Sequence, residues 1–297
     1  MTCIFCTSSR SKGSYLPDTK FNNKIFTYRR CLDCDLIYIN PIPNEGDLIK
    51  MYPPSYQNGV ESNILDSPYK KLIGLRFSYG YQFKLLNSLS FKGKMLDYGC
   101  GTANFVINSN NAGYICDGAE FNPDHVKILK KEIPQSQFYT IDDLLASNVN
   151  YDLIRLSNVL EHFTDPVGAM EKLKAKLNPK GYFLIEGPIE TNFNFALLFR
   201  KMYFRFRKKI NVNYIAHHTP THIIFTNLEN QLQFFENLKL NKVHLKTSEA
   251  EWPFPPNFKS ANGVVSKLNF IIARISIVLK KLNKKWGNTF IYVGQID

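Results

Sequence analysis

The sequence predicts an α/β protein: a doubly wound, mostly parallel sheet preceded by a small cysteine-bearing module. Three observations predict it. Beyond about residue 93, apolar strand-like runs alternate with helical stretches at the rhythm of βα units. Within that region, Met95-Leu96-Asp97-Tyr98 breaks into the turn Gly99-Cys100-Gly101 and opens a helix. Ahead of it stand two Cys-x-x-Cys pairs, Cys3 with Cys6 and Cys31 with Cys34.

The cysteine pairs come first in the chain. Each can place two thiolates on one metal, and four thiolates close a tetrahedral zinc site with no open position, so a structural Zn2+ held by Cys3, Cys6, Cys31 and Cys34 is expected. A segment this short has little core of its own, and zinc ligation contributes on the order of 10 kcal/mol to such modules. Two disulfides are the rival reading, disfavoured because no secretory signal is recognisable and the cytosol keeps thiols reduced. A redox Cys-x-x-Cys would open a helix in a thioredoxin-like unit, which the surrounding residues do not suggest. Cys100 and Cys116 lie in apolar runs and read as packing residues.

The zinc ribbon is expected over 1–43, where Pro41 and Pro43 force extended backbone. A short helix and a turn at Pro53-Pro54 are predicted over 44–56, and helical spacing of apolar residues over 67–89. Together 44–92 form a helical linker that caps the site, and 93–297 form the main domain.

The glycine turn carries the chemistry. Gly99 and Gly101 let the main chain approach a ligand with no Cβ in the way, and the helix opening near Thr102 presents unpaired N–H groups to an anionic group. Glu120 ends the next strand-like run and is placed to accept hydrogen bonds from two ribose hydroxyls. An ordinary tight turn is the competing reading, since Asn104 stands where a dinucleotide fingerprint needs its third glycine. Two later segments weigh against it. Tyr151-Asp152-Leu153-Ile154-Arg155-Leu156-Ser157-Asn158 predicts a fourth strand running into Leu160-Glu161-His162, and Leu177-Asn178-Pro179-Lys180-Gly181 predicts a helix end and a turn before a fifth strand.

With these motifs in this order, residues 95–188 resemble the class I S-adenosylmethionine-dependent methyltransferases, with Ala103 where the family often carries a further glycine. The resemblance implies a Rossmann-like, seven-stranded doubly wound sheet. It implies S-adenosyl-L-methionine as cofactor, with Asp97, Gly99 and Gly101 at its methionine part and Glu120 at its ribose. Thr140, Ile141 and Asp142 would lie near adenine, and Asn158 completes the set.

An insertion at about 188–225 follows the fifth strand and should wall the acceptor pocket at the strands' carboxyl ends. A hydroxyl acceptor needs a base, and histidine, with an unperturbed pKa near ~6.5, suits the task. His222 ranks first, because relatives often carry a histidine before the aromatic-Ser/Thr step that opens the next helix. His162 and then His218, the latter adjacent to His217, follow it. His125 and His244 are expected to point elsewhere. The competing reading is that all four, His162, His217, His218 and His222, are structural or solvent-facing.

For the acceptor, the ribbon, the methyltransferase core and His222-Ile223-Ile224-Phe225-Thr226 together resemble bacterial enzymes that methylate sugars for surface polysaccharides or secondary metabolites. The longer C-terminal domain and Tyr-His-Glu-His-type motif of sugar C-methyltransferases are missing, which favours O-methylation. A formal net charge of +12 would concentrate an anionic nucleotide-linked or lipid-linked sugar, and nucleic acid equally. An RNA methyltransferase is therefore the first alternative, although Ser157-Asn158-Val159-Leu160 lacks the Asn-Pro-Pro-aromatic motif of many base N-methyltransferases. A non-catalytic binding protein on the same fold is the second.

No apolar run approaches the ~20 residues that span a bilayer, so a cytoplasmic protein is expected. Residues 264–286 predict a basic amphipathic helix, read first as a sheet-covering helix with a solvated basic end. Peripheral contact with an anionic membrane surface is the alternative. Thr289-Phe290-Ile291-Tyr292-Val293 predicts the closing strand.

Overall fold

The computed structural model describes residues 2–52, 79–211, 214–216, 218–249, 258–259, 261 and 263–297. Four short strands open the chain: β1 (Ser11–Gly13), β2 (Asp18–Phe21), β3 (Lys24–Cys31) and β4 (Ile37–Asn40). The β2–β3 hairpin turns on Asn22 and Asn23 with φ of 50° and 58°, a left-handed pair that asparagine tolerates and that matches the twist of the strands. Helix α1 (Glu45–Met51) follows, fixed by a reciprocal capping box between Asn44 and Asp47. The predicted turn at Pro53-Pro54 and residues 67–78 of the predicted helix lie outside the described residues; helix α2 runs over Gly80–Ser88.

The main domain then alternates as its sequence predicts. Strand β5 (Lys94–Tyr98), helix α3 (Asn104–Asn111), β6 (Ile115–Glu120), α4 (Pro123–Glu132), β7 (Phe138–Thr140) and α5 (Ile141–Ala146) form its first half. Strand β8 (Tyr151–Ser157), α6 (Pro166–Lys174) and β9 (Leu177–Pro188) continue it. The fifth strand of the prediction starts earlier than a helix end at Leu177 would allow, because Leu177 already pairs with Tyr151 of β8. After helix α7 (Phe195–Ile210) come β10 (Ile215–Ala216), β11 (Ile224–Phe225), α8 (Leu228–Asn237), β12 (Asn241–Ser248), α9 (Gly263–Lys280) and β13 (Thr289–Gln295).

Seven strands make the central sheet in the order β12-β13-β9-β8-β5-β6-β7, parallel except for β13 against its two neighbours. From β5 the chain winds outward through β6 and β7, then returns to the other side of β5 with β8. That reversal opens a crevice at the carboxyl ends of β5 and β8, where ligands bind in sheets of this kind. One face buries Met95, Leu153 and Leu184 under α2, α3 and α4, with Phe105, Val106 and Leu129. The other buries Leu96, Ile154 and Ile185 with Met170, Phe234 and Phe235.

The N-terminal module shares that second core. Phe5 stacks on Phe234 of α8 with ring centroids 4.2 Å apart, and β10 and β11 extend the module's own strands into the order β10-β2-β3-β4-β11. Residues within 188–225 therefore supply edge strands of the N-terminal module's sheet, with Ile224 opposite Tyr38 and Ile215 opposite Asp18.

Phe235, 1% exposed and stacked on Tyr292 at 4.3 Å, ties α8 to β13. Phe235→Ala should lower unfolding stability by about 3 to 5 kcal/mol in urea titrations, through lost burial and the cavity left behind.

Candidate active site

Gly99 and Gly101 adopt φ of +73° and +51°, and Ala103 at the N-terminus of α3 adopts 58°. The glycines serve different ends. A Cβ on Gly99 would lie 2.5 Å from Val159, so the turn and the loop after β8 touch only because that carbon is absent, whereas a Cβ on Gly101 would meet nothing within 4 Å. The Gly101 main chain thus faces open space. Helix α3 has no side-chain cap, which leaves its first-turn N–H groups directed at the crevice.

Glu120 ends β6, nearly buried, and its carboxylate accepts from the Gly101 N–H at 2.9 Å and the Phe121 N–H at 2.8 Å. Those two bonds fix the carboxylate and leave further lone pairs on each oxygen. Thr140 lies opposite Glu120 in the sheet register and caps α5 through the Asp143 N–H, while Asp142 is exposed beside it. Asn158 is exposed at the end of β8 with φ of 52°, its N–H donating to the Glu186 carbonyl.

Asp97 is not alone. Arg155, 5% exposed, donates to Asp97 at 2.7 Å and to the Glu186 carboxylate, and its guanidinium lies 4.1 Å from the Phe105 ring centroid. Residues 97, 155 and 186 share one sheet face, Asp97 directly opposite Arg155. Burial pushes the Asp97 carboxyl up while Arg155 pulls against it. Gln82 of α2 donates to Glu186 at 2.8 Å, and its own carbonyl oxygen is buried without a partner. Arg155, Glu186 and Gln82 were not among the residues singled out from the sequence. An arginine amid Leu153-Ile154-Arg155-Leu156 was the available signal, since a cation inside a strand buried on both faces demands partners.

The histidines divide. His162 and His222 meet in a T-shaped contact with ring centroids 5.0 Å apart. The His222 Nδ1 lies 3.0 Å from Glu190, which follows β9, so Nδ1–H donates to the carboxylate and Nε2 is left as acceptor. Burial lowers the His222 pKa, but the Glu190 hydrogen bond and charge, with the nearby Glu161 charge, outweigh it and the net direction is up. His162 is the reverse: burial and the His222 charge bring it down to about 4, so it stays neutral, with its Nδ1 2.8 Å from the Thr221 carbonyl and 2.9 Å from the Tyr52 hydroxyl. Glu161, buried beside them, is raised to about 7 by burial, with His222 pulling down. Glu161, His162 and His222 each offer one ligand atom, all within 4.8 Å of one another.

His218 lies instead against Thr19 of β2, apart from the His162–His222 pair, and His217 is outside the described residues. His244 of β12 is bonded to Tyr81 at 3.0 Å, away from the crevice as expected. His125 corrects the expectation. Its Nε2 sits 2.8 Å from the Gly101 carbonyl, because α4 begins directly after Glu120 and its first turn folds over the glycine loop.

The four N-terminal thiols form a compact cluster. Cys3 and Cys34 are 3.5 Å apart, Cys6 and Cys31 3.6 Å, and all four sulfurs lie within 4.8 Å. A tetrahedral ion with Zn–S bonds of about 2.3 Å separates its sulfurs by about 3.8 Å. The two pairs also fold alike: the N–H of Cys3 donates to the Ser8 carbonyl and that of Cys31 to the Leu36 carbonyl, each at 2.8 Å, and Thr7 and Asp35 take left-handed φ of 59° and 64° just after the second cysteine. Cys100 and Cys116 are buried, their thiols pushed well up by burial, as packing residues should be.

Residues 79–244 match the family described as a methyltransferase domain. The ubiquinone biosynthesis O-methyltransferase of Haemophilus ducreyi is 30% identical over 129 residues, 40% of this chain and 53% of that protein. The chain thus spans about half the length of that curated relative. An S-adenosylmethionine-dependent methyltransferase from Archaeoglobus fulgidus superposes over 77% of this chain and 99% of its own, at 17% identity and a TM-score of 0.42. Magnesium protoporphyrin IX methyltransferase from Synechocystis PCC 6803, with bound S-adenosylhomocysteine, does so over 85% and 94%, at 12% identity and 0.46.

Replacing Arg155 with Met should leave Asp97 and Glu186 as uncompensated buried carboxylates, at a loss of about 3 to 5 kcal/mol in stability. The loss should shrink as the pH falls toward about 5, because burial already raises the Asp97 carboxyl, loss of Arg155 removes what pulls it down, and protonation removes the stranded charge. Urea denaturation at the two pH values checks both statements.

Proposed function

The chain belongs to the methyltransferase domain family and is an S-adenosylmethionine-dependent methyltransferase; from that footing we propose that it methylates a hydroxyl oxygen of a sugar or sugar-linked acceptor used in surface polysaccharide or secondary metabolite synthesis. The observation that carries the oxygen chemistry is the His222–Glu190 pair, a histidine oriented by a carboxylate with its second nitrogen free. The name of the Haemophilus ducreyi relative, an O-methyltransferase, supports the same acceptor atom.

The crevice residues fit the cofactor. Asp97 and Glu186 carry two negative charges against the one of Arg155, and the unpartnered Gln82 oxygen adds an acceptor, a set suited to the ammonium of the methionine end. Glu120 would hold the ribose hydroxyls, the open main chain at Gly99 and Gly101 would line the methionine part, and Thr140, Ile141 and Asp142 would flank adenine, with Asn158 at the rim. When bound, S-adenosylmethionine supplies a methyl group already activated on a sulfonium. The chain's own task is then to orient the acceptor and take its proton, and orientation is worth about 7 to 11 kcal/mol in favourable cases. His222 Nε2 receives the proton while Glu190 stabilises the imidazolium. Neutral His162, tied to Thr221 and Tyr52, holds the segment on which His222 sits.

Four thiols at this spacing support a structural zinc ion in the N-terminal module. One arrangement favours a second chemistry at the acceptor site: Glu161, His162 and His222 could hold a divalent cation that polarises the hydroxyl in place of the base. A rate that depends on added divalent cation, with Glu161→Gln abolishing the dependence, would select it.

His222→Ala should lower kcat by about 10²- to 10⁴-fold without weakening S-adenosylhomocysteine binding in calorimetry. Because His222 acts deprotonated and its pKa is raised, kcat should climb with pH through an inflection above the ordinary histidine value near ~6.5. Glu190→Gln removes the main cause of the rise, so the inflection should move to lower pH; an unmoved profile would sink the base assignment. Elemental analysis should find one zinc per chain, and chelation should lower the melting temperature.

A further inference from the structure

The whole net charge of the chain resides in two segments. Residues 195–210 and 263–285 hold twelve Lys and Arg and no Asp or Glu, and in the remainder 25 Lys and Arg are matched by 25 Asp and Glu. The first segment is helix α7, the second helix α9 with its basic extension, and the two helices pack against one another. Such segregation has no bearing on the fold, which places both helices outside the central sheet.

Among the described residues, each helix also leaves an apolar stripe uncovered. In α9 the inward face is closed by Ile272, Ala273 and Ser276, all buried. Its other face repeats Val264, Leu268, Ile271, Ile275 and Val278 at alternating intervals of four and three, each at least 40% exposed. In α7 the exposed stripe is Leu198, Met202, Phe206 and Ile210, one residue per turn. Patches of this extent on a monomer mark an interaction surface.

We infer that α7 and α9 form one docking face for an anionic lipid bilayer. The stripes enter the acyl boundary while the long basic side chains reach the headgroup phosphates, the mode of a basic amphipathic helix lying in the membrane plane. Charge chooses this occupant. A second copy would bring twelve more uncompensated cations against these twelve, and the branched aliphatic stripe of α9 offers nucleic acid neither a stacking surface nor a hydrogen bond. No described helix is long and apolar enough to cross the membrane, so the contact is peripheral. The face adjoins the active site: Arg200 of α7 donates to the carbonyl of Glu190, the residue that orients His222. The inference stands whether or not the acceptor is a sugar.

Flotation of the full chain with vesicles tests it. About 30 mol% phosphatidylglycerol in phosphatidylcholine should capture at least about tenfold more protein than phosphatidylcholine alone, and about 0.5 M salt should reverse the capture. Ile275→Asp with Val278→Asp should abolish binding while the melting temperature and S-adenosylhomocysteine affinity stay unchanged. Should that pair unfold the chain, Lys281→Glu with Lys284→Glu, on exposed residues past the helix, should weaken capture about tenfold. Equal capture by both vesicles, no capture, self-association through these stripes without capture, or selective binding of RNA instead would each overturn the proposal.

Discussion

Arg155 is taken out of water at the point where three parallel strands end, and the sheet can hold it there only with carboxylates on both sides. Asp97 comes from β5 and Glu186 from β9, so one guanidinium ties the strands flanking β8 across the switch point of the fold. Phe105 closes over its face and Gln82 over Glu186, which draws α2 and α3 onto the same spot. A buried ion pair of this kind adds little net stability, but it penalises every register that separates its members. The glycine turn, the loop after β8 and the start of the insertion after β9 all leave from residues immediately beyond this cluster. Their mutual position is therefore fixed by charge before any ligand arrives.

A second constraint comes from the amino-terminal end. The cysteine-bearing module is not a detachable handle: its sheet takes β10 and β11 as edge strands, and the Ile39 N–H donates to the Ile223 carbonyl, next to His222. Tyr52, which follows α1, reaches the Thr221 carbonyl at 2.5 Å. Beyond α7, the stretch that carries His222 has little regular structure of its own to hold the ring, since β10 and β11 are two residues each. Order is imposed from outside, by the strands of the N-terminal module on which β10 and β11 pair. On the proposed assignment of His222 as base, the ring must stay within hydrogen-bond reach of its proton donor, and the module would then act on the chemistry by steadying His222 and not by touching the acceptor.

The main sheet was legible because its signals are local: apolar runs of strand length, glycines at the β5 turn, Glu120 at the end of β6. The reach of side chains across the sheet was not. Arg155 and Glu186 lie 31 residues apart and Tyr52 and His162 110 apart, distances at which no periodicity operates. His125 shows the same limit from the other side. His125 was expected to point elsewhere, but a ring on the first turn of a helix projects back toward the preceding strand's end, which puts it on the Gly101 carbonyl. Glu190 escaped notice because it follows Pro188-Ile189 with no motif of its own, and its role exists only once His222 has been carried to it by the ribbon's edge.

Charge separates along the same lines. Outside 195–210 and 263–285 the chain carries equal numbers of acids and bases, so its net attraction for anions originates in α7 and in α9 with its basic extension. Those helices occupy the connections after β9 and between β12 and β13, positions where the sheet needs no cover from the outer face of either helix. Apolar residues retained there at regular spacing work against solubility, and the cations of the two helices offset that only while no apolar partner is present. Near a surface that is both anionic and apolar the two features reinforce each other. Arg200 of α7 bonds the Glu190 carbonyl, so on the proposed reading the acceptor site would open beside that surface, and an acceptor anchored in lipid would reach His222 by moving in two dimensions.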